Sequence, residues 1–331
     1  MTRFRRLTLT LAAALGVAFT AAGPAPAGKH KGPSAEEVEK IKTACAKLKA
    51  RAGPTKPRRL LVFSVSHGYF HTSIPYGKKA AELMGQATGA FEATVSDDPA
   101  MFKPDRLRDF DAVFFNNTNR DAFRPANFKN LSAAEKKQAE ARDARLKASF
   151  RTWLADGHGL AAIHAAVAAF RQWPEYGSII GARFCNHPWG AGSKVPMKVE
   201  EPAHPLCAAF DAPRFTIVDE IYQLNPPYSR KRCRVLVSVD TERADMKKVR
   251  RHVRRTDGDF AITYIKPYKN GRVFYNAWGH MHELFWNPMV LQHWLDGIQW
   301  AIGDLKADAT VERTPAKFTR PSPKGEGEPG G

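Results

Sequence analysis

The chain has 331 residues and a formal net charge of +18, enough length for one large domain or two small ones. Its four cysteines include no CxxC pair, which argues against a cysteine-based zinc site. The basic excess comes with no nucleic-acid-binding motif, which argues against DNA or RNA as partner. One or two disulfides and free buried thiols stand as equal alternatives for the cysteines.

The first residues read as an export signal. Arg3, Arg5 and Arg6 precede an apolar run over 7–22, and Ala25-Pro26-Ala27 offers a small-x-small cleavage site, with Thr20-Ala21-Ala22 a second. We therefore expect a signal peptide over 1–27 and a periplasmic or secreted bacterial protein, exported by the general route or, given Arg5-Arg6, the twin-arginine route. The alternative is an uncleaved membrane anchor; no other stretch is apolar enough to span a bilayer. Residues 28–57 read as a Pro/Gly/Lys linker and an accessory helix. A capping box at Ser34-Ala35-Glu36-Glu37 opens that helix, Val38, Ile41, Cys45 and Leu48 form its apolar stripe, and Gly53-Pro54 ends it.

A domain over 58–304 follows. Residues 60–66 (LLVFSVS) predict a buried strand, 67–73 a loop rich in His and Gly, and 74–88 a helix. Strands are predicted over 91–95 and 112–115, then a long helix from the capping box at Leu131-Ser132-Ala133-Ala134-Glu135 to about Ala155. The Gly157-His158-Gly159 turn leads into an apolar run over 160–163 that stops at His164. This alternation predicts an α/β doubly wound domain with a mainly parallel central sheet. Segments 195–200, 214–218 and 234–239 read as strands, 260–265 and 272–277 as a hairpin turned at Lys269-Asn270-Gly271, and 287–302 as the closing helix. The Pro-, Lys- and Gly-rich tail over 305–331 reads as disordered.

Potential ligands recur at strand ends. His71 follows the first strand, His164 ends the fourth, His187 lies on the loop after it, Glu220 ends a β segment and His280 follows the last strand. If the first and fourth strands are neighbours, these groups converge at one carboxyl edge, where open α/β sheets bind ligands. Imidazoles with a carboxylate suit zinc, manganese or a similar divalent ion, and serve equally as general acid and base. His158, His252 and His293 read as packing residues, and His204-Pro205 as a turn. No GxGxxG follows the first strand, so no nucleotide cofactor is expected, and no Ser or Cys occupies an elbow after the central strand. Cys185-x-His187 is not a diagnostic catalytic spacing. Lys247, Lys248, Arg250, Arg251, Arg254 and Arg255 form a dense basic run, as do Arg230, Lys231, Arg232 and Arg234. These read as a solvated surface, with an anionic surface or glycan bound through 247–255 as the sharper alternative.

Six motifs in order carry a resemblance: FSVSHGYFHTSI, DAVFFNNTNRD, ADGHGLAAIHAA, GARFCNHPW, VEEPAHPL with DEIY at 219–222, and NGRVFYNAWGH. Over residues 58–303 the chain resembles the ThuA-like (trehalose-utilisation) family, whose fold is that of class I glutamine amidotransferases. The resemblance implies a three-layer α/β/α, flavodoxin-like domain and places the family's histidines on His71, His164, His187 and His280. It puts His164 where amidotransferases carry their cysteine, so glutaminase chemistry is not expected. It also implies a role in disaccharide or oxidised (3-keto) sugar metabolism, and with the His-rich strand ends the expectation is a metal-dependent enzyme of hydrolase or lyase type. On that reading His164, His187 and Glu220 are the catalytic candidates and His187, Glu220 and His280 the metal ligands. His71, Trp189, Tyr222 and Trp278 are then the substrate-binding candidates, with a small sugar as ligand, although the three aromatics read equally as core residues. A non-catalytic glycan-binding module on the same fold is the alternative. The basic run and the N-terminal helix depart from the family's pattern, and the oligomeric state is not read from the sequence.

Overall fold

Residues 32–311 are described in the computed structural model. The expected signal peptide at 1–27, most of the linker before Ser34 and the end of the C-terminal tail lie outside them.

Four short apolar runs become the first strands: β1 (Arg59–Phe63), β2 (Glu92–Val95), β3 (Ala112–Asn116) and β4 (Gly159–Ile163). Between them lie α2 (Ile74–Thr88), α3 (Pro104–Leu107) and α4 (Ala133–Ala155), with α1 (Ala35–Cys45) preceding β1. Then come α5 (Pro174–Ile180), β5 (Arg183–Val199), β6 (Arg214–Asn225), β7 (Arg234–Val239), α6 (Met246–Val249), β8 (Ala261–Tyr268), β9 (Gly271–Asn276) and α7 (Pro288–Ile302). All nine strands form one sheet in the order β2-β1-β3-β4-β9-β8-β7-β5-β6.

The expectation of a mainly parallel sheet is corrected. The β2-β1-β3-β4-β9 half is parallel, but β9, β8, β7, β5 and β6 pair antiparallel in succession. The physical reason is the connections. Parallel neighbours need a crossover, which α2 and α4 supply, whereas β8 and β9 are joined by a tight turn in which Lys269 takes φ 53°. The fourth strand does not neighbour the first either, because β3 lies between them. The segment Phe184-Cys185-Asn186-His187-Pro188, expected as a loop, is part of β5, whose pairing with β6 shifts register three times between Phe184 and Ser193. The N-terminal helix ends at Cys45, eight residues before Gly53. All four cysteines are free thiols.

Side chains of the parallel strands alternate between two helix layers. On β3, Phe114 shares a small void with Gly77 and Met84 of α2 and Trp294 and Ile298 of α7. Its neighbour Phe115 turns the other way, 5.5 Å from Phe150 of α4 and 6.2 Å from Tyr176 of α5. Close approach of α7 is allowed by Gly159, where any Cβ would collide with the Ala301 carbonyl. Ser34 and Ser132 close both capping boxes read from the sequence. Helix α1 packs on α2 and α7 through Ile41, Ala44 and Cys45, all buried. Beyond α7 the chain returns over the body, where Asp308 pairs with Arg234 at 2.8 Å and accepts on its carbonyl from the same guanidinium. Among the described residues, no helix is long and apolar enough to cross a membrane.

Candidate metal centre

The carboxyl ends of β1, β4 and β9 open on one edge, and β6 reaches it from the antiparallel half. Four side chains meet there: His71, His164, Glu220 and His280 each offer one donor atom, and these atoms lie within 4.8 Å of one another. His71, His164 and Glu220 are buried and His280 half-buried. His164 Nε2 and His280 Nδ1 each lie 3.4 Å from Glu220 Oε2.

Each group is held by local structure. At the end of β4 the chain turns at His164, which takes φ 46°, a left-handed conformation costly for a residue with a Cβ. Three contacts hold it there. Tyr275 donates its hydroxyl to the His164 carbonyl (3.0 Å), Ala165 N–H donates to Asn117 Oδ1 (3.4 Å), and His164 Nδ1 donates to the Ala277 carbonyl (2.7 Å). Gly279, at φ 140°, lets the next loop pass: a Cβ there would sit 3.2 Å from His164 Cβ. Asp219, fully buried, accepts N–H bonds from Gly279 (2.9 Å), His280 (3.1 Å) and Met281 (2.9 Å), so β6 clamps the loop that carries His280. Ser73 and Asn117 both donate to the Gly279 carbonyl, at 2.6 and 3.2 Å.

The electrostatics follow from burial and proximity. Burial, then the charges of His164 and His280, push His71 down to about 3, so it is neutral near pH 7. Burial acts to raise Glu220, but the His164 and His280 imidazoles beside it outweigh burial and hold the carboxyl well below its usual range. Burial acts to lower His280, but Glu220 and then Asp219 outweigh it and raise the imidazole. Burial raises the Asp219 carboxyl against the pull of His164 and the backbone donors.

Three ring nitrogens are buried without a hydrogen-bond partner: His71 Nδ1, His164 Nε2 and His280 Nδ1. Because the Ala277 carbonyl can only accept, His164 carries its proton on Nδ1, and a neutral ring then aims the lone pair of Nε2 at a carboxylate oxygen. Two acceptors face each other, an arrangement that needs a proton or a cation between them. Imidazoles fixed by a carbonyl on one nitrogen and open on the other are the usual form of histidine ligands. The donor set therefore fits a divalent ion such as zinc or manganese, with modest closure of the side chains to bonds of about 2 Å.

The sequence candidates distribute as follows. Glu220 and His280, expected as ligands, sit in the four-donor set together with His71 and His164, which were expected to bind substrate and to act in catalysis. His187 lies outside the set, 3.5 Å from Glu220 Oε1 through Nδ1 and 53% exposed. Tyr222 stacks on His164 at 4.2 Å and reaches His71 Nε2 with its hydroxyl at 3.4 Å. The two tryptophans do not join them: Trp189 is buried edge-on to Phe260, and Trp278 is buried among Phe210, Phe215 and His293. His158 stacks on Trp153, and His293 is buried and bonded at both nitrogens. His204 caps the turn at Leu206, and His252 is exposed. The basic run is clamped to β5 and β6: Asn186 and Gln223 donate to the His252 carbonyl, while Gln223 accepts from Arg254 and Arg255 N–H.

Sequence reasoning missed three participants. Asp219 was visible only as the first residue of DEIY. Phe184 lies 4.6 Å from Tyr222 and 6.5 Å from His187. Tyr69 is 68% exposed, edge-on to His71 at 4.9 Å and parallel to His280 at 6.2 Å. Its loop is tied down, since Gly68 N–H donates to Asn119, and Asn119 and Ser66 donate to the Tyr69 carbonyl.

Comparison with known proteins bears on this architecture. None of the curated proteins matches the chain. Among solved structures, it is similar to a ThuA-like protein from Bacteroides uniformis, with TM-score 0.53 and 18% identity over 75% of this chain and 95% of that one. It is also similar to a ThuA-like protein from Parabacteroides merdae, with TM-score 0.52 and 15% identity over 81% and 96%. At these identities the likeness establishes the fold alone. The family model described as trehalose utilisation matches residues 59–301, from the first strand through nearly all of α7, and the chain therefore belongs to the ThuA family.

Proposed function

We propose that this protein is an exported, metal-dependent enzyme acting on small sugars of the disaccharide or 3-keto type. The observation that carries the reading is the meeting of His71, His164, Glu220 and His280, each with one donor atom within 4.8 Å of the others, with His164 Nε2 and His280 Nδ1 facing Glu220. The sugar comes from the family, and export from the arginines and apolar run at the start of the chain.

His71, His164, Glu220 and His280 would hold the ion, which when bound supplies Lewis-acid polarisation of a substrate oxygen. The remaining roles belong to the chain's own groups. His187 Nδ1, half-exposed beside Glu220 Oε1, is free to turn toward a substrate and exchange a proton with it. Asp219 fixes the loop of His280 through three N–H bonds, so that imidazole is held before substrate arrives. Tyr222, buried over His164, keeps water from that face. Tyr69 offers an exposed ring face to a sugar at the mouth. No thiol lies at the end of β4, so the glutaminase route of related folds is not used.

The test is elemental analysis of the purified mature protein, followed by turnover of a panel of 3-keto and parent disaccharides with and without chelator. The reading expects about one divalent ion per chain, its loss in Glu220→Gln, and turnover that falls with chelation and in His187→Ala. Full metal content in Glu220→Gln would refute the assigned centre. Sugar binding without turnover would make the domain a glycan-binding module.

A further inference from the structure

A second feature borders the cluster. A cleft of about 590 Å³ is lined by Val167, Ala168, Arg171, Arg183, Phe184 and Asn225, a volume within the range of small-molecule sites. None of the four cluster residues lines it, but parts of its wall are next to residues that touch the cluster. Val167 and Ala168 belong to the turn that begins at His164, and the Phe184 ring lies against Tyr222 and near His187. Asn225 ends β6, the strand that carries Glu220.

The charge of this cleft is one-sided. Two guanidinium groups line it and no carboxylate does. Arg183 spends its hydrogen bonds on the carbonyls of Phe170 (3.1 Å), Ala169 (3.4 Å) and Trp173, so its position is fixed while no acid neutralises its charge. Arg171 is exposed and, among the described residues, has neither ion pair nor hydrogen bond for its side chain. A fixed positive charge beside a free guanidinium, on walls of Val, Ala and Phe, is a setting in which an anion is favoured and its bonds to Arg are strong.

We propose that this cleft is a subsite for an oxyanion-bearing sugar unit, a carboxylate, sulfate or phosphate ester, whose neighbouring carbons lie at the His/Glu cluster. Arg171 grips the oxyanion, Arg183 sets the field, and Phe184 packs against the ring. This deepens the proposed function and rests on it for the position of the reacting carbons. It assigns the substrate class as acidic rather than neutral sugar.

The experiment is calorimetric titration of the full mature protein, in chelator and at low salt, with glucuronic acid, glucose 6-sulfate, glucose 6-phosphate, glucose and inorganic phosphate. At least one acidic sugar is expected to bind about tenfold or more tighter than glucose, as a charge-assisted bond to Arg implies. That advantage should vanish in Arg171→Glu and survive largely in Arg171→Lys, both surface changes that leave the fold intact. Equal binding of acidic and neutral sugars, or an unchanged advantage in Arg171→Glu, overturns the subsite. Inorganic phosphate binding as tightly as the sugar phosphate also overturns it, because the cleft then recognises a free anion and not a substrate. With chelator present, metal-centre failure and cleft failure are read separately: the first shows in metal content of Glu220→Gln, the second in these titrations.

Discussion

Asp219→Asn tests whether one carboxylate assembles the site. Asp219 Oδ1 accepts from His280 and Met281 N–H, and Oδ2 from Gly279 N–H. Asparagine keeps one oxygen, which the two-donor position would take. Those two bonds pass from charge-assisted to neutral, a loss of about 1 kcal/mol each. The new NH2 then faces the Gly279 N–H, donor against donor, and a buried N–H goes unmade at about 1–3 kcal/mol. Relief of a buried charge offsets part of this, leaving a net destabilisation of about 2–4 kcal/mol. Urea unfolding at pH 7.5 measures it. The loop also carries His280, so zinc affinity, read by competition with a chromophoric chelator, should fall about 10- to 100-fold, as for other partners that orient metal ligands. A variant within about 0.5 kcal/mol of the parent would refute the clamp, and a destabilised variant with unaltered zinc affinity would refute its role in positioning.

Two further outcomes are expected. His293 is buried, bonded to the Leu206 carbonyl and Thr263 hydroxyl, and pushed by burial from 6.5 down to about 4. Its folded value lies below its unfolded one, so its stabilising contribution is complete above pH 6.5 and is lost as pH falls toward 4. At 1.36 kcal/mol per unit this is about 3 kcal/mol between pH 7.5 and 4. His293→Gln should flatten the pH dependence of urea midpoints by that amount, and an unchanged slope would sink the assignment. Tyr69→Ala should leave stability within about 0.5 kcal/mol, because the ring is exposed, yet weaken binding of a turned-over sugar about three- to tenfold. Tyr69→Phe should bind like the parent, and equal affinity in the Ala variant would remove Tyr69 from the site.

Features set by neighbours in sequence were legible. The capping boxes at Ser34 and Ser132 form because each needs only a residue three positions on. The runs that became β1, β3 and β4 stand out because helices cover both faces of the sheet, so nearly every position is apolar. The strand-end rule brought His71, His164 and His280 to one edge, although the strand order it assumed was wrong, since β3 separates β1 and β4; Glu220, expected at a strand end, joins them from the middle of β6. The antiparallel half was harder. Pro188, Gly190, Gly192 and Pro196 break the alternation of β5, so a strand of 17 residues read as a loop followed by a short β segment. Roles that depend on the far side of the fold were invisible. Trp189 and Trp278, which read equally as sugar platforms or as core in sequence, are core residues in space, while Tyr69, on a loop, is the exposed ring. Asp219 differs from any strand-end acid only in the N–H groups that find it.

His164 connects the fold's strain to its chemistry. A left-handed conformation at a residue with a Cβ costs about 1 kcal/mol or more, and it persists only where surrounding contacts hold it. Here the contacts do more than hold the backbone. The bond from Nδ1 to the Ala277 carbonyl fixes the proton on the inner nitrogen, and the turn aims the outer one at Glu220. A cysteine at this elbow would present sulfur one bond beyond Cβ, whereas the imidazole extends the donor toward the carboxylate on β6. The turn thus places His164 to share a positive charge with Glu220. Whether that charge is a proton or a divalent ion, His164 and Glu220 cannot face each other empty at 3.4 Å without repulsion between their lone pairs. His71, held neutral by burial, adds a donor and no competing charge. A proton between His164 and Glu220 serves one pair at a time, whereas a single cation would take one donor from each of the four residues.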